Sequence, residues 1–221
     1  MRRATLAYIA PFFVFVGLMA MASENTTGWP PGVLYAARFA ATVVALWVFS
    51  RHLRPFPARY PLASIGVGVA VFVIWILPDL LFGYRHFWLF QNAFTGVAAS
   101  SLPAKLRINV PFVVLRAASS TLLVPVIEEL FWRGWLMRWL IGKDFLKVPL
   151  GTYVPSAFWI VAVLFASEHG PYWEVGLAAG IIYNYWIVRT KCLGDCILAH
   201  AVTNGILSAY VVLTGQWQYW L

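Results

Sequence analysis

Residues 4–22 read ATLAYIAPFFVFVGLMAMA, a run without a single charge. At about 1.5 Å per residue a helix of that length reaches roughly 28 Å, close to the ~30 Å hydrocarbon thickness of a bilayer. The polar turn SENTTGWPPG follows directly, with no clear cleavage site, so a retained first span is expected rather than a removed leader. The rest of the chain has the same character. Of 221 residues, 62% are apolar and 11% charged, where soluble domains are about half apolar and about a quarter charged. A chain this short cannot hide several all-apolar helices from water, which excludes a soluble enzyme, a disordered chain and a coiled coil.

Further spans are predicted at 33–50 (with Arg38 inside), 61–82 (ending in Pro78 and Asp79), about 108–140, 154–168, 172–189 and 195–214. The runs are too long and continuous for the alternating strands of a barrel. The expected fold is an all-α, polytopic membrane helix bundle of about seven spans, forming a single integral membrane domain over 1–221. Residues 86–101 (HFWLFQNAFTGVAASS) are too short and polar for an eighth span and read as interfacial or re-entrant.

Loop charge predicts the orientation. With the N-terminus inside, Arg2, Arg3, Arg51, Arg54, Arg59, Arg138, Lys143, Lys147, Arg189 and Lys191 collect on the cytoplasmic side, against Arg85, Lys105 and Arg107 opposite. The C-terminus is then outside, where Trp217, Tyr219 and Trp220 of QWQYWL would form an aromatic belt. The net charge of +8 suits anionic headgroups. No basic stretch interleaves with aromatics over a polar face, so nucleic acid is not an expected partner. Cys192 and Cys196 read as small packing residues, and the absence of an internal repeat argues against an inverted-repeat transporter.

Ionisable groups inside a membrane are costly and mark function. Three clusters stand out: VPVIEELFWRGW with Glu128, Glu129 and Arg133; FASEH with Phe165, Glu168 and His169; and HAVTN with His200 and Asn204. Glu129 and Arg133, four apart, lie roughly 40° from each other around an α-helix and can pair, whereas Glu128 lies about 140° from Arg133. One carboxylate is thus neutralised while its neighbour is free for chemistry. Counting helical rise from the presumptive inner ends puts Glu128 roughly 16 Å, His169 roughly 22 Å, His200 roughly 10 Å and Asn204 roughly 16 Å deep, all well inside the bilayer. A carboxylate, two imidazoles and an amide at similar depth suit hydrolysis of an acyl bond, with a glutamate-activated water and oxyanion donors. A metal held by Glu128, His169 and His200 is the alternative.

Plainer roles compete. Glu128 and Glu129 could pair with Arg133 and Arg116, and a lone His or Asn in a membrane helix commonly bonds a neighbouring helix. Glu168 and Glu174 fall near a span end, where solvation is the simple expectation. WRGWLMRW reads as an interface-anchoring face.

Glu128-Glu129-Leu-Phe-Trp-Arg133, Phe165-Ala-Ser-Glu-His169 and His200-Ala-Val-Thr-Asn204 together resemble the EExxxR, FxxxH and HxxxN motifs of the CPBP family, the CAAX-protease and bacteriocin-processing intramembrane proteases. The resemblance covers about 108–214, leaving 1–107 as N-terminal spans beside a catalytic core. It implies a helical bundle with a membrane-embedded polar cavity, in which Glu128 activates water assisted by His169, His200 and Asn204 stabilise the oxyanion, and Glu129 and Arg133 support the site. It leaves open whether a divalent metal such as zinc takes part, since no HExxH pair is present. SEHGPYWE and KCLGDCILAHAVTNG resemble CAAX-protease-related proteins of bacterial exosortase-type sorting systems. That implies the bacterial inner membrane, sorting-system partners and a membrane-anchored C-terminal tail as substrate, rather than a prenylated protein. The competing functions are a catalytically silent scaffold or immunity protein, disfavoured by the complete set of motif residues, and a small ion-coupled transporter.

Overall fold

The computed structural model describes residues 2–23, 28–53, 56–100 and 102–220. Arg54 of the loop-charge count, residues 24–27 of the first polar turn, Ser101 and Leu221 lie outside the described residues. Those described form helices, turns and irregular segments, with one isolated bridge, Asn92–Gly96, and no named strand. Three long helices come first: α1 (Arg2–Ser23), α2 (Pro31–Ser50) and α3 (Pro61–Phe82). After an irregular stretch and the short α4 (Ala104–Arg107), a continuous helical rod runs over Val110–Trp139 as α5 (Val110–Ala118), α6 (Val124–Glu129) and α7 (Met137–Trp139). Then come α8 (Pro155–Ser167), α9 (Trp173–Thr190) and α10 (Leu193–Thr214).

The boundaries follow local chemistry. Proline opens α2, α3 and α8, where its missing N–H is not needed and its fixed φ suits the first turn. Asn109 caps α5 by accepting the Phe112 N–H at 3.0 Å. Five elements are long and apolar enough to cross a membrane: α1, α2, α3, the rod and α10. The remaining pair, α8 and α9, packs antiparallel. With thirteen residues, α8 itself reaches only about 20 Å, and the turn at 168–172 carries the chain on to the start of α9. Side chains such as Phe13, Val44, Trp47, Val163 and Leu213 stand exposed around the outside, the apolar girdle that lipid would cover.

Contacts at the two ends establish the up-and-down arrangement. At one end the Ser50 hydroxyl bonds the Ala7 carbonyl at 2.6 Å, Asp195 accepts the Tyr60 N–H at 2.8 Å, and Arg138 lies over the Phe145 ring. At the other, buried Arg85 donates from Nε to Glu174 at 2.8 Å and from Nη2 to the Trp75 carbonyl at 2.9 Å, pairs with Asp79 at 3.3 Å, and lies over the Tyr172 ring. Glu174 is therefore not a solvated residue at a span end; it is the partner of a buried cation. Burial, aided by the Glu174 charge, pushes the Tyr84 phenol up to about 12, so it stays a neutral donor to Glu174 at 2.9 Å. Burial and the Asp79 charge likewise push Tyr219 up to about 12.

Two aromatic readings need correction. Tyr219 and Trp220 are buried, turned into the bundle by the chain reversal after Gly215, whose φ of 70° ends α10 in the left-handed region. They form no outward belt. Likewise Trp132 is buried edge-on to Phe12 and Phe131, while Trp139 is exposed, so WRGWLMRW divides between core and surface. Residues 87–100 are irregular, with Phe87, Trp88, Phe94 and Val97 exposed, in keeping with an interfacial segment. Cys196 is buried and Cys192 half-buried, both as free thiols.

α3 and α10 lie side by side because Gly68 has no side chain: a Cβ there would stand 2.7 Å from the Val202 Cβ and closer still to the Ala199 carbonyl, whereas Gly66 faces open space. Gly68→Ala is expected to cost about 1–3 kcal/mol through overpacking, visible as a lower unfolding temperature in detergent, while Gly66→Ala leaves that temperature unchanged or slightly raised.

Candidate active site

The rod that carries the two glutamates is not a uniform α-helix. Its i→i−4 pattern widens to π turns over Ser119–Leu123 and Leu130–Leu136, bracketing Val124–Glu129. Proline at 125 explains the first: its ring cannot donate and collides with the carbonyl four residues back, at Thr121. Such widened turns are common at functional sites. The predicted α-helical angles around the rod therefore do not hold across 130–136.

The predicted pairing nonetheless forms. Arg133 and Glu129 are both fully buried and joined at 2.9 Å from Nη1 to Oε1. The other donors of Arg133 go to α9: Nε to Asn184 Oδ1 at 2.8 Å and Nη2 to the Gly180 carbonyl at 3.2 Å. Asn184 in turn donates to the Phe158 carbonyl of α8 at 2.8 Å, and Phe165 covers the guanidinium at 4.6 Å. His200 on α10 closes the set, its Nδ1 lying 3.0 Å from Glu129 Oε1. One buried cation thus ties the rod to α8 and α9, and its carboxylate partner reaches α10.

Glu128 faces elsewhere. It lines a cavity of about 240 Å³ together with His169, His200 and Asn204, at the lower end of small-ligand pockets. All four predicted catalytic residues are brought to this one space. Glu128 Oε2 is buried, makes no hydrogen bond to the described residues, and lies 4.0 Å from His200 Nε2. The imidazoles are oriented from behind. His169 Nδ1 lies 2.8 Å from the Phe165 carbonyl, an atom that only accepts, so Nδ1 carries the proton and the other nitrogen, Nε2, is an acceptor. His200 gives its Nδ1–H to Glu129 and stacks on Tyr183 at 5.1 Å. Tyr183 donates to Thr203 at 2.7 Å, and Thr203 to the Gly68 carbonyl at 2.9 Å. Asn204 commits one N–H to the Ser120 carbonyl at 2.9 Å, leaving its second for the cavity. Trp75 meets His169 edge-on at 5.2 Å. Gly176 accommodates the His169 ring, which a Cβ would meet at 3.0 Å.

Arg116 does not serve as a counter-ion at Glu128. It lies a dozen positions away on the rod, over the Tyr35 and Trp220 rings at 5.3 Å each. Among the described residues no three His, Cys, Asp or Glu side chains are grouped to share an ion.

Sequence reasoning missed Asn184, Tyr183 and Thr203. An amide in the apolar helix GIIYNYW carries the same cost as Asn204 and could have been noticed on that ground. Tyr183 and Thr203 give no signal before the helices are packed.

The rod, the end of α8, α9 and α10 thus place a carboxylate, two oriented imidazoles and an amide around one cavity, in a multi-pass membrane bundle. Residues 110–206 match the family described as Type II CAAX prenyl endopeptidase Rce1-like, and this segment contains every residue of the site. Over that segment the chain is similar to a CAAX-protease family. Searches of curated proteins and of solved structures return no match.

Removing one partner of the buried pair leaves a charge uncompensated. Arg133→Met is expected to cost about 3–5 kcal/mol of stability, and Glu129→Gln to lower both stability and activity. The double variant recovers a good part of the unfolding temperature without activity; a fully active, fully stable Glu129→Gln protein would show that the pair supports neither.

Proposed function

We propose that the protein hydrolyses a peptide bond near the C-terminal, membrane-anchored end of a protein substrate, by a water that Glu128 activates. The observation that carries this reading is the division of labour between adjacent carboxylates: Glu129 Oε1 engages both Arg133 and His200, while Glu128 lines the cavity and its Oε2 makes no hydrogen bond to the described residues. A buried carboxylate beside a reacting water is a general base. His169, with Nδ1–H fixed on Phe165, offers Nε2 as a second acceptor that orients the water.

As the water attacks the carbonyl carbon, Glu128 takes its proton and negative charge develops on the carbonyl oxygen. The second N–H of Asn204 is the donor for that oxygen, with the His200 ring, held by Glu129, beside it. Glu128 then delivers the proton to the departing amine, the C–N bond breaks, and the new carboxylate and amine leave. The sequence is written through these side chains alone, because their disposition does not fit a shared ion.

The reading extends to the setting. The loop-charge bias supports an N-terminus in the cytoplasm and a C-terminus outside, in a bacterial inner membrane. The likeness to exosortase-associated proteins supports sorting-system partners and an unprenylated tail as substrate.

The test is cleavage of a panel of C-terminal membrane-anchor peptides by the purified protein and by Glu128→Gln. Wild type cleaves and Glu128→Gln, folded to the same unfolding temperature, does not; cleavage by both removes Glu128 as the base. Asn204→Ala is expected to lower kcat by about 10²–10³, the cost of one oxyanion donor. Dialysis against a chelator leaves wild-type turnover unchanged, and a loss reversed by zinc would overturn the metal-free sequence.

A further inference from the structure

The wall that α3 contributes to the cavity carries a donor that the catalytic set does not use. Trp75 lines the same space as Glu128, His169, His200 and Asn204. It is nine-tenths buried, and its indole N–H meets no acceptor among the described residues. The ring is held in place. It meets His169 edge-on at 5.2 Å and stacks on Tyr172 at 6.3 Å, while the Trp75 carbonyl accepts from the buried Arg85 guanidinium at 2.9 Å. The other hydrogens around the cavity are committed. Tyr183 gives its hydrogen to Thr203, Thr203 to the Gly68 carbonyl, and Tyr219 reaches Asp79 at 3.4 Å. Ser120 and Ser208 share a hydrogen bond at 2.9 Å, and the Ser120 hydroxyl also reaches the Ala117 carbonyl at 3.3 Å. Arg116 is already engaged, over the Tyr35 and Trp220 rings and beyond them. Both imidazoles give Nδ1–H to protein oxygens. Among the described residues two N–H groups remain, the second of Asn204 and the indole of Trp75.

Resting on the hydrolase reading above, we infer that the Trp75 indole N–H binds a backbone carbonyl of the substrate next to the scissile one. Helix α3 then forms part of the substrate site, although it lies outside residues 110–206. A donor buried without an acceptor is destabilising, and phenylalanine would line this wall with no such penalty. The penalty is lifted when an acceptor arrives, and the reaction brings one. A membrane-anchored segment has to leave its helix before Glu128 can direct water onto a carbonyl, and each carbonyl so released needs a donor that lipid does not offer. Trp75 adjoins His169, the imidazole that orients the water, whereas the oxygen under attack is taken by Asn204. The carbonyl left for Trp75 is a neighbouring one. It carries no developing charge, so this bond holds ground state and transition state alike and acts on KM rather than kcat.

The experiment uses one apolar membrane-anchor peptide of about 20 residues, fluorescein-labelled at its N-terminus, with the protein in phosphatidylcholine nanodiscs. Trp75→Phe is expected to raise KM about five- to thirtyfold with kcat within about twofold, the factor a buried neutral donor gives. Replacing Trp75 by benzothienylalanine, which keeps the fused ring and puts sulfur in place of N–H, gives the same loss and separates the donor from the shape of the ring. Trp135→Phe changes neither constant; its N–H also meets no acceptor among the described residues, but the ring lies against Phe131 and Trp139 instead. Binding to Glu128→Gln is read by anisotropy with a series of peptides, each carrying one backbone thiocarbonyl, a weaker acceptor than the carbonyl it replaces. One position weakens binding, and adding Trp75→Phe abolishes that penalty. Full affinity in the benzothienylalanine protein, or a penalty that survives Trp75→Phe at every position, overturns the inference. So does a fall in kcat at unchanged KM, since the donor then serves the water or the oxyanion. Trp75-dependent binding that maps to one carbonyl, without any Glu128-dependent cleavage, upholds the donor and fails the hydrolase reading instead.

Discussion

A guanidinium taken out of water and away from any surface sets the terms for the rest of this bundle. Arg133 is fully buried, and a cation so placed costs several kcal/mol unless its charge and its donors are met. Three elements contribute to that. Glu129 on the same rod neutralises it, Asn184 and Gly180 on α9 accept its remaining N–H groups, and Phe165 on α8 covers its face. A pair of this kind is weak as a source of stability, because well-packed apolar groups would do as well. Its contribution here is register: the rod, α8 and α9 can satisfy Arg133 together only at one relative height. That height brings Glu128, His169 and His200 to a common cavity.

The same interaction makes neighbouring glutamates chemically different. Two carboxylates in succession on a regular helix diverge by about 100°, enough to send Glu129 toward Arg133 and Glu128 toward the cavity. Because Glu129 also accepts from His200, the ion pair does more than fill space. It fixes which nitrogen of His200 meets the cavity and supplies the negative charge behind that ring when Nε2 carries a proton, the arrangement by which a carboxylate commonly tunes a working imidazole.

Much of this was legible in the residues. Uninterrupted apolar runs located the spans, because backbone in lipid has few options other than helix. The i,i+4 spacing of Glu129 and Arg133, and of His200 and Asn204, placed each pair on one face. What the chain alone withheld had two physical causes. The first widened turn arises from Pro125 acting on a carbonyl four residues back, a break that a reading of the rod as regular α-helix does not include. And the destination of a side chain at a helix end depends on where the following turn carries it: Tyr219 and Trp220 suit a membrane interface by composition yet fold inward, and Glu174 finds a buried partner, Arg85, nearly ninety positions away. Asn184 belongs to neither class; its cost in an apolar helix is visible from sequence.

Hydrolysis at this depth needs water, and the fold supplies the condition for it. Helix α8 ends in a short turn, residues 168–172, before α9 begins. Non-helical backbone is tolerated at membrane depth only where protein covers it or water reaches it. Here the turn is braced by Trp75 and Tyr172 on one side, and its His169 ring lines the cavity wall. From that wall the file of Asn204, Ser120 and Ser208 hydroxyl and amide groups leads to Arg116 and the end of the bundle where Tyr219 and Trp220 turn in. A path lined in this way can admit water to Glu128 in the absence of substrate and be closed by the apolar side chains of a bound tail. On the proposed reaction, the few donors left in a closed cavity would act at low dielectric on the developing oxyanion, where each is worth more than it would be in water.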